Sequence, residues 1–316
     1  MATRRVAVDD TIEHRDEQPQ PVRRRRPWRR WLLVALALLL AVGVWHERAR
    51  PPRPEASATI PPAAVPLPPA EAEPPANVPA WIRYAVPTPA TDRPRVVVVI
   101  DGLGVDPAAT ARAIALPPAV TLSFVAYAAD LAEQTATARR AGHELLLRVP
   151  MEPTSTTAAM GSYALGRYMT QDDLLRRLRW DLARFDDYVG VDNHMGTEFA
   201  MDAPAMRVVM TELKRRGLLY LDARAVPTEP VAVAAHELGV PYASRDIFLD
   251  GEQAAIAVDA RLADLVKLAH EHGSAIAIGH PHPATLAALQ RWLPTLRRQG
   301  VVLVPLTAVI KPPRTG

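Results

Sequence analysis

The sequence predicts an α/β fold built on a parallel sheet. From Arg95 onward, short β-branched runs alternate with amphipathic stretches. Val96–Ile100 is almost continuously apolar, as expected of a strand covered on both faces rather than on one. Some seven strand–helix units succeed one another, and such alternation builds either an open doubly wound sheet or a closed barrel.

The further strands are expected at Thr121–Ala126, Glu144–Val149, Val189–Asp192, Leu218–Leu221, Ser274–Ile278 and Val301–Val304. Four helices are expected between them. Gln171–Phe185 follows Thr170, with Asp173 three residues on, a capping arrangement. Ala205–Arg216 stops at Gly217 and Ala260–His272 at Gly273, because glycine accepts the left-handed conformation that ends a helix. Pro283–Arg298 opens with a proline, which suits a first turn.

The first ninety residues are of a different kind. Residues 1–30 carry nine Arg and five acidic residues; out of totals of 37 and 34, the rest of the chain keeps 28 basic against 29 acidic. The excess positive charge therefore sits in the tail, and the folded part lacks the basic surplus of a nucleic-acid-binding domain. Residues 31–45 (WLLVALALLLAVGVW) contain no charge, and at about 1.5 Å per helical residue they reach roughly 22 Å. That is short of a ~30 Å hydrocarbon core, but Trp28, Trp31 and Trp45 can lie at the two interfaces. A cleaved signal peptide has the same basic start and short apolar run, yet no small-x-small site follows closely, which favours an uncleaved single-pass anchor. With the arginines held in the cytoplasm, everything after Trp45 faces outward. Pro51–Ala90 contains thirteen Pro and reads as an extended spacer. The expected organisation is a basic tail at 1–30, an inner-membrane anchor at 31–45, a Pro/Ala-rich linker at 46–92 and a periplasmic domain at 93–316. There is no Cys, which excludes disulfides and thiolate metal ligands and suits export.

In parallel α/β folds the working groups lie at the carboxyl ends of strands. The polar residues of this chain collect there. Asp101 follows Val96–Ile100, and a carboxylate in that place is costly unless it is paired, hydrogen-bonded or bound to metal. His194 and His280 each follow a separate strand, and with Asp101 they supply a carboxylate and two imidazoles, a set suited to binding a divalent metal or to acid–base work. His143, His236, His270 and His272 lack that placement and are expected at the surface or at helix ends. A metal-dependent phosphohydrolase would want a Ser, Thr or Cys nucleophile beside a richer carboxylate set, and no strand end offers one.

Asp101 after VVVVI, VPMEP at 149–153, NHMGT at 193–197, LYLDAR at 219–224, RDIFLD at 245–250 and AIGHPHP at 277–283 resemble the divergent polysaccharide deacetylase family over roughly residues 93–308. The resemblance implies a deformed parallel β/α barrel of about seven strands, related to metal-dependent carbohydrate deacetylases. In those enzymes a metal-bound water attacks the acetyl carbonyl, a carboxylate is the base and a histidine protonates the leaving group. It implies Asp101 as base and His280 as acid or oxyanion stabiliser. His194, with Glu152, is implied as a ligand for a divalent metal such as zinc. Asn193, Asp222, Arg245 and His282 are implied as supporting or sugar-contacting residues. Two positions depart from the pattern: Gly102 stands where the family typically has a second Asp, and Arg148 where it typically has a His. Both are metal ligands in the broader pattern, so an arginine there is expected to swing outward or to hold an anionic group. The implied function is action on an envelope polysaccharide such as peptidoglycan, as a hydrolase with a rearranged metal site. The alternative is a catalytically silent relative that binds glycan or a protein partner through the same cleft.

Overall fold

A computed structural model describes residues 78–154, 164–223 and 229–311. The basic tail, the apolar run 31–45 and the linker up to residue 77 lie outside the described residues. Among the described residues no helix is long and apolar enough to cross a membrane.

Among the described residues nine strands make one wholly parallel sheet: β1 (Arg95–Leu103), β2 (Thr121–Val125), β3 (Leu145–Met151), β4 (Gly190–Met195), β5 (Leu219–Asp222), β6 (Tyr242–Ser244), β7 (Ile247–Phe248), β8 (Ser274–Gly279) and β9 (Val302–Leu303). Their order is β6-β5-β4-β3-β2-β1-β8-β7, with β9 beside β1. β6 and β7 are two halves of one extended stretch that changes partner. Tyr242–Ser244 pairs with β5, and Ile247–Phe248 pairs with β8. At the change-over, Arg245 N–H donates to the Asp222 carbonyl and Asp246 N–H to that of Ile276, both at 2.9 Å. Counting that stretch once and leaving β9 aside, seven strands return on themselves, which is the deformed barrel expected. β6 and β7 escape the sequence pattern because three and two residues are too few to show a period.

The helices are α1 (Ala80–Arg83), α2 (Pro107–Ile114), α3 (Leu131–Arg140), α4 (Gln171–Leu182), α5 (Ala203–Arg216), α6 (Glu229–Leu238), α7 (Ala255–His272) and α8 (Pro283–Trp292). Thr170 Oγ1 accepts from Asp173 N–H at the start of α4, and Gly217 (φ 64°) and Gly273 (φ 81°) end α5 and α7. α8 is shorter than expected, giving way to a 3₁₀ turn at Leu293–Thr295, where Pro294 has no N–H to continue it. α2 and α3 have no sequence signature because their buried faces are small: Ala109, Thr110 and Ala113 in one, Leu131, Thr135 and Ala138 in the other.

Alternate residues of the strands separate two cores. Val96, Val98 and Ile100 face the helices, with Leu145, Leu147 and Val149. Val97 and Val99 face the barrel interior, with Leu146, Leu219, Leu221, Ile276 and Ile278. The period of two carries this alternation to the strand ends: Asp101 continues the inward row of β1, and Arg148 the inward row of β3. His143, expected at the surface, is fully buried instead. Its Nδ1 lies 2.8 Å from the Val120 carbonyl and its Nε2 2.9 Å from that of Ile114, so it staples the starts of β2 and β3 to the end of α2.

Residues 78–92, assigned to the linker by composition, pack against the domain. Ala80 is buried, and Trp81 N–H donates to the Gly217 carbonyl at 3.0 Å. Glu144, fully buried at the start of β3, accepts from Val86 N–H (3.4 Å), from Thr307 N–H (3.0 Å) and from the Thr307 hydroxyl. Burial raises its pKa above the usual carboxylate range, against the pull of these hydrogen bonds. One side chain thus holds the segment entering the barrel and the segment leaving it. Glu144→Ala should lower the stability of the full-length chain by about 2–4 kcal/mol in denaturant unfolding, since it strands two backbone donors, and Thr307→Val by about 1 kcal/mol. An unchanged unfolding midpoint for Glu144→Ala would show that the clasp contributes nothing.

Candidate functional site

The inward rows of β1–β4 and β8 end at one place. Between Ile100 and Leu103 the pairing of β1 with β2 slips, Ile100 lying opposite Leu122 and Leu103 opposite Phe124. β1 therefore carries one extra residue, a bulge, and Gly102 supplies the φ of 77° that it needs. Asp101 lies in the bulge and is 1% exposed. It does not cap the next helix; Asp106 does, accepting from Ala108 and Ala109.

Arg148 does not swing out. Its guanidinium is buried, and Nη1 donates to both Asp101 Oδ2 and Asp192 Oδ2. Asp192 is its register partner on β4, and the Ser123 hydroxyl donates to that carboxylate's other oxygen. Arg148 Nε donates to His194 Nδ1 at 3.2 Å, which fixes the proton of a neutral His194 on Nε2. Asp101, His194 and His280 thus meet around one guanidinium. His280 presents Nε2 at 3.3 Å from Asp101 Oδ1, close enough to pair but off the line of a hydrogen bond, so that buried oxygen is left with none. On its other side Nδ1 lies 3.1 Å from Asp250 Oδ1, while Asp250 Oδ2 accepts from His280 N–H (2.7 Å) and the Thr285 hydroxyl (2.8 Å).

The electrostatics follow from burial against pairing. Burial pushes the Asp192 pKa up to about 6, with Asp101 adding repulsion and Arg148 opposing it. Burial lowers His194 to about 4, helped by the charges of Arg148 and His280. His280 goes the other way: burial works against its imidazolium, but the hydrogen bond to Asp250 and the charges of Asp101 and Asp250 raise it above its ordinary value. His280 is therefore the imidazole of the cluster whose charged form its surroundings favour.

The other residues singled out by sequence are placed differently. Asn193 ties two strand ends together, accepting from Ala223 N–H (2.9 Å) and donating to the Met195 carbonyl (2.7 Å), which steadies Met195 at φ 57°. Asp222 accepts from the Tyr242 hydroxyl at 3.1 Å. Arg245 stacks 4.4 Å over Phe248, whose ring meets His280 edge-on. His282 lies beside His280, ring centroids 5.4 Å apart. Glu152 is not in the cluster: its carboxylate takes the backbone N–H of Arg167 at 2.7 Å and pairs with that side chain at 3.3 Å. Sequence reasoning misses Asp192, Ser123 and Asp250. Asp192 has a signal, since it stands two residues before His194 on one strand and so shares its face.

Residues 98–310 match the family described as divergent polysaccharide deacetylase. The chain belongs to that family. YibQ of Escherichia coli (strain K12) is 30% identical over 220 residues, which is 70% of this chain and 68% of the relative. A Haemophilus influenzae protein is 31% identical over 203 residues, 64% of this chain and 72% of its own. The crystal structure of ATU2773 from Agrobacterium tumefaciens superposes with a TM-score of 0.72 at 30% identity, covering 73% of this chain and 95% of that one. YibQ, the Haemophilus relative and ATU2773 are all described as uncharacterized proteins.

The family resemblance implies a divalent metal such as zinc, and the donor atoms of the cluster decide whether one fits. A structural or catalytic zinc takes carboxylate oxygens and unprotonated imidazole nitrogens. Here both aspartates face Arg148, His194 Nδ1 accepts from Arg148, and Glu152 is held elsewhere. A divalent cation about 4 Å from the guanidinium would be repelled by roughly 8 kcal/mol at an effective dielectric of 20. The residues at the family position do not fit a metal; they fit the arginine. Restoring a carboxylate at Gly102 meets a second obstacle, because a Cβ there has room (3.6 Å to His280) but the backbone is left-handed.

Arg148→Met should cost about 3–5 kcal/mol, because it leaves Asp101 and Asp192 buried without a counter-charge. The double change Arg148→Met with Asp192→Asn should recover a large part of that loss; if the single variant is as stable as the unmodified chain, the pairing is not what holds the site together. Stability against pH carries a second signature. Asp192, raised to about 6, binds its proton more tightly folded than unfolded, so its contribution falls as pH rises from about 4 to 6. His194, lowered to about 4, does the reverse and contributes more as pH rises from about 4 to 6.5. The two act in opposite directions. Relative to the unmodified chain, His194→Ala should make stability fall more, or rise less, on raising the pH from 4 to 6, read from unfolding midpoints.

Proposed function

We propose that this chain is a glycan-binding member of the deacetylase family that does not use metal-activated water, held at the inner membrane by residues 31–45 with its barrel in the periplasm, where it recognises an envelope polysaccharide such as peptidoglycan. The observation that carries the reading is Arg148: a permanently charged guanidinium occupies the centre of the cluster and satisfies the carboxylates and imidazole that would otherwise take a metal. A charged group that cannot deprotonate at working pH does not give way to a cation.

The remaining groups at the strand ends suit binding. Tyr127, 42% exposed just after β2, lies close enough to Arg148 to interact with its charge. An exposed aromatic ring beside charged and hydrogen-bonding groups matches the mixed apolar and polar surface of a sugar chain. A second reading, acetyl hydrolysis, is favoured by His280: flanked by Asp101 and Asp250 and raised in pKa, it is placed to give a proton to a leaving group.

Purified full-length protein should co-sediment with insoluble peptidoglycan and release no acetate from acetylated peptidoglycan above the rate without protein, with or without chelator. Tyr127→Ala should weaken sedimentation about tenfold, equivalent to ~1.4 kcal/mol. Acetate release that His280→Ala abolishes would replace the binding reading with the hydrolytic one, and absence of co-sedimentation would overturn the glycan. A reporter enzyme fused after Gly316 should be active only in the periplasm, and activity in the cytoplasm would overturn the location.

A further inference from the structure

We infer that Asp250, His280 and His282 bind a divalent transition-metal ion at the edge of the cleft, on the far side of the His280 ring from the position Arg148 fills. One ligand atom from each residue lies within 4.8 Å of the others, the one such group of three among the described residues. The residues come from two neighbouring strand ends: Asp250 follows β7, and His280 and His282 follow β8, with Pro281 between the two histidines. His282 sits at the N-cap position of α8 and makes no cap bond there, so its ring is not committed to the helix.

Two imidazoles and a carboxylate are a donor set for zinc, nickel or cobalt rather than for magnesium or calcium. Asp250 Oδ1 and His280 Nδ1 are 3.1 Å apart. Two donors each about 2.0–2.1 Å from one tetrahedral ion lie roughly 3.3 Å apart, so this pair needs only a few tenths of an ångström to share one. Asp250 is also held for the task. Its Oδ2 is fixed by His280 N–H and the Thr285 hydroxyl, which leaves Oδ1 as the oxygen offered to an ion. His282 Nε2 lies 3.2 Å from the side-chain amide of Gln253, which orients the ring and leaves Nδ1 as its ligand atom.

A separate observation points the same way. Asp101 Oδ1 is buried with no hydrogen-bond partner and lies 3.3 Å from His280 Nε2. Carboxylates face both ring nitrogens of His280, Asp101 at Nε2 and Asp250 at Nδ1. An ion on Nδ1 takes the place of a proton on the Asp250 side and leaves the ring proton on Nε2, facing Asp101. The outcome is a carboxylate–histidine–metal arrangement, in which Asp101 orients the ligand and strengthens it as a donor. This site stands independently of the glycan-binding reading.

Full-length protein stripped with chelator and titrated with zinc by calorimetry should bind one equivalent. Loaded with cobalt, it should show the visible absorption of a nitrogen-and-oxygen site. His282→Ala, a change at a partly exposed loop residue, should weaken zinc at least tenfold and remove the cobalt bands, with the far-ultraviolet circular dichroism unchanged. His194→Ala, which alters only the Arg148 cluster, should leave zinc affinity within about twofold. Absence of saturable binding, or His282→Ala binding as tightly as the unmodified chain, would overturn the site. Zinc binding lost in His194→Ala but kept in His282→Ala would place the ion at the family position, overturning this inference and the metal-free reading together. Failure to bind peptidoglycan would overturn only the latter.

Discussion

A guanidinium almost cut off from water has to be neutralised where it lies, and that constraint organises the mouth of this barrel. Arg148 continues an inward row of side chains on β3, between Leu146 and the strand end, so its charge falls inside the ring of strands. Asp192 answers it from the neighbouring strand in register, and Asp101 answers it from two strands away, at the end of the inward row of β1. Ser123 completes Asp192, and His194 gives up a lone pair to the Arg148 Nε–H. Removing any one member leaves another buried polar group without its complement, and such partly satisfied networks are less stable than an apolar core.

Much of this is legible in the sequence. The strand–helix alternation, the helix stops at Gly217 and Gly273, and the convergence of Asp101, His194 and His280 on strand ends all derive from residue type and period. The orientation of Arg148 does not, because the acids that offset the cost of burying its charge stand on other strands. Asp192 reads as the last residue of a strand, whereas its side chain lies on the His194 face. Glu152 misleads by its proximity along the chain: four residues after Arg148 and past the end of β3, it meets Arg167, which no local pattern could supply. His143 looks peripheral because its partners are backbone carbonyls, and these leave no mark in a sequence.

The cluster also shows how a fold can outlast the chemistry at one position. In the reading proposed above, the barrel keeps the strand ends, the bulge and the Asp250–His280 pair, and a guanidinium carried on its own chain stands where a cation would be held. An arginine is always present at full occupancy, whatever the supply of metal, so the geometry of the site no longer depends on loading. The loss is in Lewis acidity, because a guanidinium donates hydrogen bonds but has no vacant position for water.

The clasp at Glu144 bears on mechanics. Residues 78–92 dock beside Gly217 and Glu144, at the ends of the strands remote from Arg148. A load applied at this segment therefore enters at one pole of the barrel while the Arg148 cluster occupies the other. Tension would first work against α1 and the Val86–Glu144 contact. Force on the segment at 78–92 is thus borne by contacts at one end of the strands, while the Arg148 cluster lies at the other.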